Sequence, residues 1–259
     1  MEIGSIDNVA ENPVIVVFAN YQYAQILENW IAAISHLGIS NYLVVALDVR
    51  LHDYLENNGV RSVLRECDED LGNIWVHRVK VIQELLESGY DVIHSDADAV
   101  WLKNPLDTYF HKPAYDVAFS QGTHWPRDVH AVWGFVLCCG LFYVRSNDAT
   151  RQLFDAIAAD VECSKDDQVS CNRVLMKLNT EWEHPNDIYS LSYDGIEFNC
   201  SNEIIHGKNN VVCVALLPHS RFQRISDSCD DVYIKHKISS KTSCSTKELL
   251  KSNNCWFLD

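Results

Sequence analysis

Asp96-Ala97-Asp98 stands at the end of a short apolar stretch, Tyr90 to Ser95, and is followed by Ala99-Val100-Trp101-Leu102. Alternate side chains of a strand share a face, so the two carboxylates point one way if the extended conformation persists. Two like charges side by side are unfavourable unless a positive group sits between them. A hard divalent cation, itself bridging to a bound diphosphate, is such a group. Taken alone, an Asp-x-Asp triplet is more often a solvated turn. Here its flanks favour a site. A long apolar-periodic helix precedes it, and a Trp-Leu-x-x-Pro stop follows. Both suit the carboxyl end of a sheet strand, where open α/β folds bind ligands.

Other residues can join this chemistry. His236, among lysines in Tyr233-Ile234-Lys235-His236-Lys237, can complete the coordination of a cation held by Asp98. Carboxylates plus one imidazole favour Mn²⁺ over Mg²⁺. His219 is the weaker competitor for that role. Asp166-Asp167-Gln168 opens a helix, where acids ordinarily cap free N–H groups. Asp167 and Gln168 act on a sugar only if that helix start faces the site. Asn20 and Asp48 follow the first two strands and are candidates to contact base and ribose. Arg78, in the helix before the triplet, either reaches the nucleotide phosphates or is a solvated helix charge. Lys237 and Lys241 are placed to offset charge on a leaving phosphate.

The elements that must position these residues follow from periodicity. Val14–Phe18, Tyr42–Leu47, Val60–Leu64 and Val92–Ser95 read as strands. Between them 21–36, 52–58 and 74–86 read as helices, closed by Gly38, Gly59 and Gly89. This alternation predicts parallel βαβ units and a doubly wound sheet. The rhythm then changes. Strands are expected at 116–119 and 134–144 with little helix between them, and helices at 150–161 and 167–178. Short strands at 188–191, 196–199 and 211–216 and a last helix at 246–251 follow. Residues 1–12 read as a polar tail and 13–259 as one domain. Its nucleotide-binding half spans about 13–105 and its mixed acceptor half 106–259.

Glycine cradles are missing: no Gly-x-Gly-x-x-Gly follows the first strand, and there is no Walker loop, Gly-x-Ser-x-Gly elbow or His-Glu-x-x-His helix. Any bound diphosphate must be held by metal and side chains. The formal net charge of −15 argues against nucleic acid or anionic membrane as partner. It also repels an anionic substrate, so a cation or a local basic patch must reverse the field. Lys235, Lys237, Lys241, Lys247 and Lys251 against Glu248 supply a candidate patch. None of the ten cysteines forms a Cys-x-x-Cys pair. Cys138 and Cys139 read as core thiols, and the later cysteines can pair in an oxidising compartment. Asn199-Cys200-Ser201 fits a glycosylation acceptor. No apolar run is long enough to span a bilayer. The expected location is cytoplasmic as the chain stands, or the Golgi lumen if an anchor was removed.

In one order come Val-Phe-Ala-Asn20, Asn29-Trp30, Leu47-Asp48 and Asp96-Ala-Asp98-Ala-Val-Trp101-Leu-Lys-Asn-Pro105. Cys-Gly140-Leu-Phe-Tyr-Val-Arg145, Asp167-Gln168, His236, Leu250 and Trp256-Phe-Leu follow. The set resembles the nucleotide-diphospho-sugar transferases that include plant rhamnogalacturonan xylosyltransferases and related α-galactosyl- and arabinosyltransferases, over residues 14–258. The closing run, His236-Lys237-Ile238-Ser239-Ser240, departs from the His-Asn-Trp or His-x-Asn pattern of such enzymes. The resemblance implies a GT-A fold, a UDP-sugar donor, Mn²⁺ and retention of anomeric configuration. It implies a glycan, glycoprotein or other hydroxyl acceptor. It also implies that Asp96 contacts ribose or metal, that Asp98 and His236 ligate the metal, and that Asp167 and Gln168 lie by the transferred sugar. A non-catalytic sugar-nucleotide or carbohydrate binder on the same fold is the alternative.

Overall fold

The computed structural model describes residues 13–68, 70–225, 231–238 and 242–258. The expected 1–12 tail and Lys241 lie outside them. β1 (Val14–Ala19) is β-branched and wholly apolar, as a strand covered on both faces must be. It leads through a 3-10 turn into α1 (Ala24–His36), then β2 (Tyr42–Ala46), α2 (Val49–Asn57), β3 (Ser62–Leu64), α3 (Leu71–Glu87) and β4 (Val92–Ser95). β1 pairs in parallel with β2 and with β4, and β2 with β3. This half is the βαβ alternation that the sequence predicts.

The second half is mixed. β5 (Ala99–Trp101), β6 (Val117–Gln121), α4 (Arg127–Trp133), β7 (Leu137–Val144), α5 (Asp148–Ser164) and α6 (Asp167–Lys177) follow in turn. β7 runs antiparallel between β4 and β6. After it come β8 (Glu181–Trp182), β9 (Ile188–Tyr193), β10 (Ile196–Ser201), β11 (Ile205–Lys208), β12 (Cys213–Leu216), β13 (Phe222–Gln223), β14 (Ile234–His236) and α7 (Ser243–Ser252). The main sheet has the order β3-β2-β1-β4-β7-β6-β12-β11-β8. β13-β14-β5 form a small second sheet, and β9-β10 a hairpin.

The period-2 alternation of β1 divides the core. Val14 and Val16 face α3 and α5 through Val79, Ile82, Leu86, Leu153 and Phe154. Ile15 and Val17 face α1 through Ile26, Trp30 and Ile34. The sequence-based elements shift at their ends, as fraying termini do. Three are corrections of substance. Residues 127–133 form α4, where little helix is expected, and the strand expected from Gly134 starts at Leu137. β5, β8, β11, β13 and β14, too short for periodicity to reveal, are new strands.

Two devices fix the end of β4. The indoles of Trp30 and Trp101, both fully buried, each donate to Ser95 Oγ at 3.1 Å. Asn29 ties the chain end onto α1: its Nδ2 donates to Cys255 O at 3.0 Å, and its Oδ1 accepts from Phe257 N at 2.6 Å. Asn29, Trp30 and the 255–257 segment, distant in sequence, thus belong to one structural unit behind the Asp triplet.

Candidate functional site

β4 ends before Asp96, and the extended conformation does not persist. The chain turns at 97–98, with Ala99 N donating to Asp96 O at 3.0 Å. The two carboxylates converge because of that turn, not because of strand alternation. β14 then lies antiparallel to β5 with His236 opposite Ala99. This brings His236 Nε2 to 3.3 Å from Asp98 Oδ1 and 3.7 Å from Asp96 Oδ2. Ligand atoms of Asp96, Asp98 and His236 lie within 4.8 Å of one another.

Gly140, in β7, is the floor beneath them. Asp96 N donates to Gly140 O at 2.7 Å. A Cβ on Gly140 would overlap the His236 ring and lie 2.5 Å from Asp96 Oδ2. The donors are two carboxylates and an imidazole that pack over Gly140 with no room for a side chain there. Such a set fits Mn²⁺ better than Mg²⁺, which prefers oxygen ligands alone.

The acids are not left to repel one another. Arg78 is buried, and it spans both: Nη1 lies 2.8 Å from Asp96 Oδ1 and Nε donates to Asp167 Oδ2 at 2.6 Å. The solvated-charge reading of Arg78 is therefore wrong, and its guanidinium is engaged by carboxylates. His94 Nε2 is 3.1 Å from Asp96 Oδ1. Desolvation would raise the Asp96 carboxyl, but Arg78, His94 and His236 hold it well below the usual carboxylate range. Burial, helped by Arg78, pushes His94 down to about 4 and keeps it neutral. Burial lifts Asp167 to about 6 against the pull of Arg78. For His236, burial and Arg224 oppose a charge, yet Asp98 prevails and pushes it up to about 9. A cation binding there must displace that proton.

All of these groups but the buried His94 line a cleft of about 460 Å³ that also takes in Asn20, Tyr23, Trp75, Trp125, Cys138, Gln168, Arg224 and Lys237. Asn20 Oδ1 is buried without a partner, so it is available to a ligand. Asp48 is a correction. Its Oδ1 accepts from Leu51 N at 2.7 Å and its Oδ2 from Tyr21 N at 2.6 Å, so it caps α2 and does not line the cleft. Asp166 caps α6 through Val169 N at 3.0 Å. Gln168 spans the wall: its Nε2 donates to Trp125 O at 2.6 Å and its Oε1 accepts from Cys139 N at 3.3 Å. His219 sits elsewhere, bonded to Tyr189 at 2.8 Å. Lys237 is among the residues that line the cleft.

Sequence reasoning missed His94, Gly140, Arg224 and Trp125. His94 was visible two residues before Asp96. Cys138 is more than a core thiol: its sulfur is 3.8 Å from His236 Nδ1. The nine described cysteines are all free.

The model of a family described as nucleotide-diphospho-sugar transferase matches residues 37–248. The chain belongs to the nucleotide-diphospho-sugar transferase family. It is 32% identical to arabinosyltransferase RRA2 of Arabidopsis thaliana over 59% of this chain and 42% of that protein. It is 23% identical to the UDP-D-xylose:L-fucose alpha-1,3-D-xylosyltransferase 3 of the same plant, over 83% of this chain and 56% of that one. The chain thus spans less than half the length of the arabinosyltransferase it matches. An active-site mutant of LgtC superposes with a TM-score of 0.52 at 10% identity, over 92% of this chain and 95% of that chain. At that identity the likeness speaks to fold alone, and the fold is GT-A, as expected from sequence. No helix among the described residues of this transferase-family chain is long and apolar enough to cross a membrane.

Proposed function

We propose that this chain moves a sugar from a UDP-sugar to a hydroxyl group of a glycan or glycoprotein, with retention of anomeric configuration and with Mn²⁺ at Asp96, Asp98 and His236. The observation that carries this reading is the convergence of those three side chains over Gly140, beside Asp167 and Gln168, in one cleft. A binder has no need of a cation aimed at a leaving group. When bound, Mn²⁺ would supply Lewis-acid neutralisation of the departing diphosphate. Asn20, at the end of β1, has a free acceptor for base or ribose. Lys237 and Arg224 line the cleft and offset phosphate charge in a chain of net charge −15.

Breaking the anomeric bond leaves positive charge on the sugar ring, which a nearby oxygen stabilises. Of the two expected residues, Gln168 is the more exposed and lines the cleft, with a lone pair of Oε1 left after its one hydrogen bond from Cys139 N. Asp167 is buried against Arg78, which makes it a positioning residue. Relatives named for arabinosyl, xylosyl and galactosyl transfer support a donor of the arabinose, xylose or galactose type.

Calorimetry with UDP tests the reading. Binding is expected in Mn²⁺, and at least ten times weaker in EDTA or in folded Asp98→Asn, since a lost ligand to the bridging cation costs several kcal/mol. Equal affinity in all three would sink the metal-bridge idea.

A further inference from the structure

Of the four tryptophans near the site, Trp75 is half-buried in the cleft wall, and the other three have different fates. Trp30 and Trp101 are fully buried and brace Ser95, whereas Trp125 is 49% exposed at the rim of the cleft. A half-exposed indole beside a cleft presents a large, rigid apolar face to whatever enters. Yet Trp125 is not loose. Its indole Nε1 donates to Asp166 Oδ2 at 3.2 Å, and its carbonyl accepts from Gln168 Nε2 at 2.6 Å. Trp125 is thus held through its indole N–H and its backbone carbonyl at the start of α6, next to the residue proposed to meet the transferred sugar. Leu71, 46% exposed, lines the same cleft. It adjoins Gly72, whose backbone lies against Lys165, immediately before Asp166.

Sheet order says which ligand this platform faces. Asn20 and Leu47 follow β1 and β2, on one side of β4 and its Asp triplet. Trp125 follows β6, two strands away on the other side. A nucleobase held at the ends of β1 and β2 cannot also rest on Trp125. We infer that the exposed indole face of Trp125 is the stacking platform for the acceptor sugar ring. The C–H face of a pyranose or furanose is apolar and partly positive, and it complements the negative face of an indole. Thr123, on the same segment, also lines the cleft and offers a hydroxyl to the ring's edge. This assignment rests on the transferase reading, but its test does not need UDP.

Saturation-transfer NMR with methyl glycosides of arabinose, fucose, xylose and galactose provides that test, on wild type, Trp125→Phe and Trp125→Ala. Wild type is expected to saturate at least one glycoside. Trp125→Phe keeps an aromatic face but loses the bond to Asp166, and should bind that glycoside within about threefold of wild type. Trp125→Ala should bind it about tenfold more weakly, the size of one stacking contact. UDP affinity of Trp125→Ala, measured by calorimetry, should stay within about twofold. No saturation of any glycoside by wild type, or equal binding by Trp125→Ala, overturns the platform. Parallel loss of UDP and glycoside in both variants also overturns it, because the residue would then be structural. Trp125-dependent glycoside binding without UDP binding would instead remove the transferase reading and leave a carbohydrate site.

Discussion

Arg78 decides how two acids share one cleft. A single guanidinium offers donors in a planar fork, and here one edge meets Asp96 while another meets Asp167. Removing it would leave Asp167, 4% exposed, as an uncompensated charge next to a second carboxylate. Truncating one partner of a buried ion pair costs about 3–5 kcal/mol. Arg78→Met is therefore expected to lose about that much stability, read from the urea midpoint. Arg78→Lys should recover only part of it, because an ammonium cannot span both acids. An unchanged midpoint in Arg78→Met would show that the pairs contribute nothing.

Among the elements, β7 has the unusual task of being both core and floor. All eight of its residues are buried. Its pairing with β4 sets Leu141 opposite Ser95, so Gly140 comes next to Asp96 at the end of the ladder. A strand glycine often marks a place where another group approaches closely, and here the group is His236. Gly140→Ala is expected to leave β7 paired but to displace His236 from the acids. Electron paramagnetic resonance of free Mn²⁺ should then report affinity lower by about tenfold or more, the loss of one ligand's worth of coordination. Wild-type Mn²⁺ affinity in a folded Gly140→Ala protein would mean that the His236 ring is free to step aside.

For the molecule as a whole, acid sensitivity draws on a second buried histidine besides His94. His219 is fully buried, and its Nε2 accepts from Arg224 N and Ile225 N at 3.4 Å each. Its Nδ1 therefore carries the proton and donates to Tyr189, linking the β9–β10 hairpin to the segment after β12. Burial first, and Lys237 second, push it down to about 4. A histidine whose folded value lies below its unfolded value is held neutral by the fold. Its contribution is complete above the unfolded value of about 6.5 and falls away as pH drops toward 4, by at most ~1.4 kcal/mol per pH unit. Thermal melts from pH 7.5 to 4 should show that decline. His219→Gln should be less stable at neutral pH but have a shallower slope below pH 6.5. Parallel slopes would assign acid unfolding to other groups.

Much of this was legible in the chain itself, for reasons of short range. The βαβ alternation is local periodicity, and the glycines after α1, α2 and α3 mark their ends. Asp96 and Asp98 are neighbours in sequence, so any strand ending there delivers both. Other features depend on contacts that sequence spacing does not encode. Asp48 reads as a ligand contact because it follows a strand, but an acid in that position also caps a helix, and the cap prevails. Arg78 reads as a phosphate contact or a solvated charge, not as a buried ion pair, because its partner Asp167 is 89 positions away. His236 reaches the acids only because a three-residue strand pairs antiparallel with β5, and three residues show no period. Residue types and local repeats thus set the fold class and the candidate acids. Which of those acids converge with His236, which cap a helix, and which tryptophan stays open to solvent were settled only when distant strands came into register.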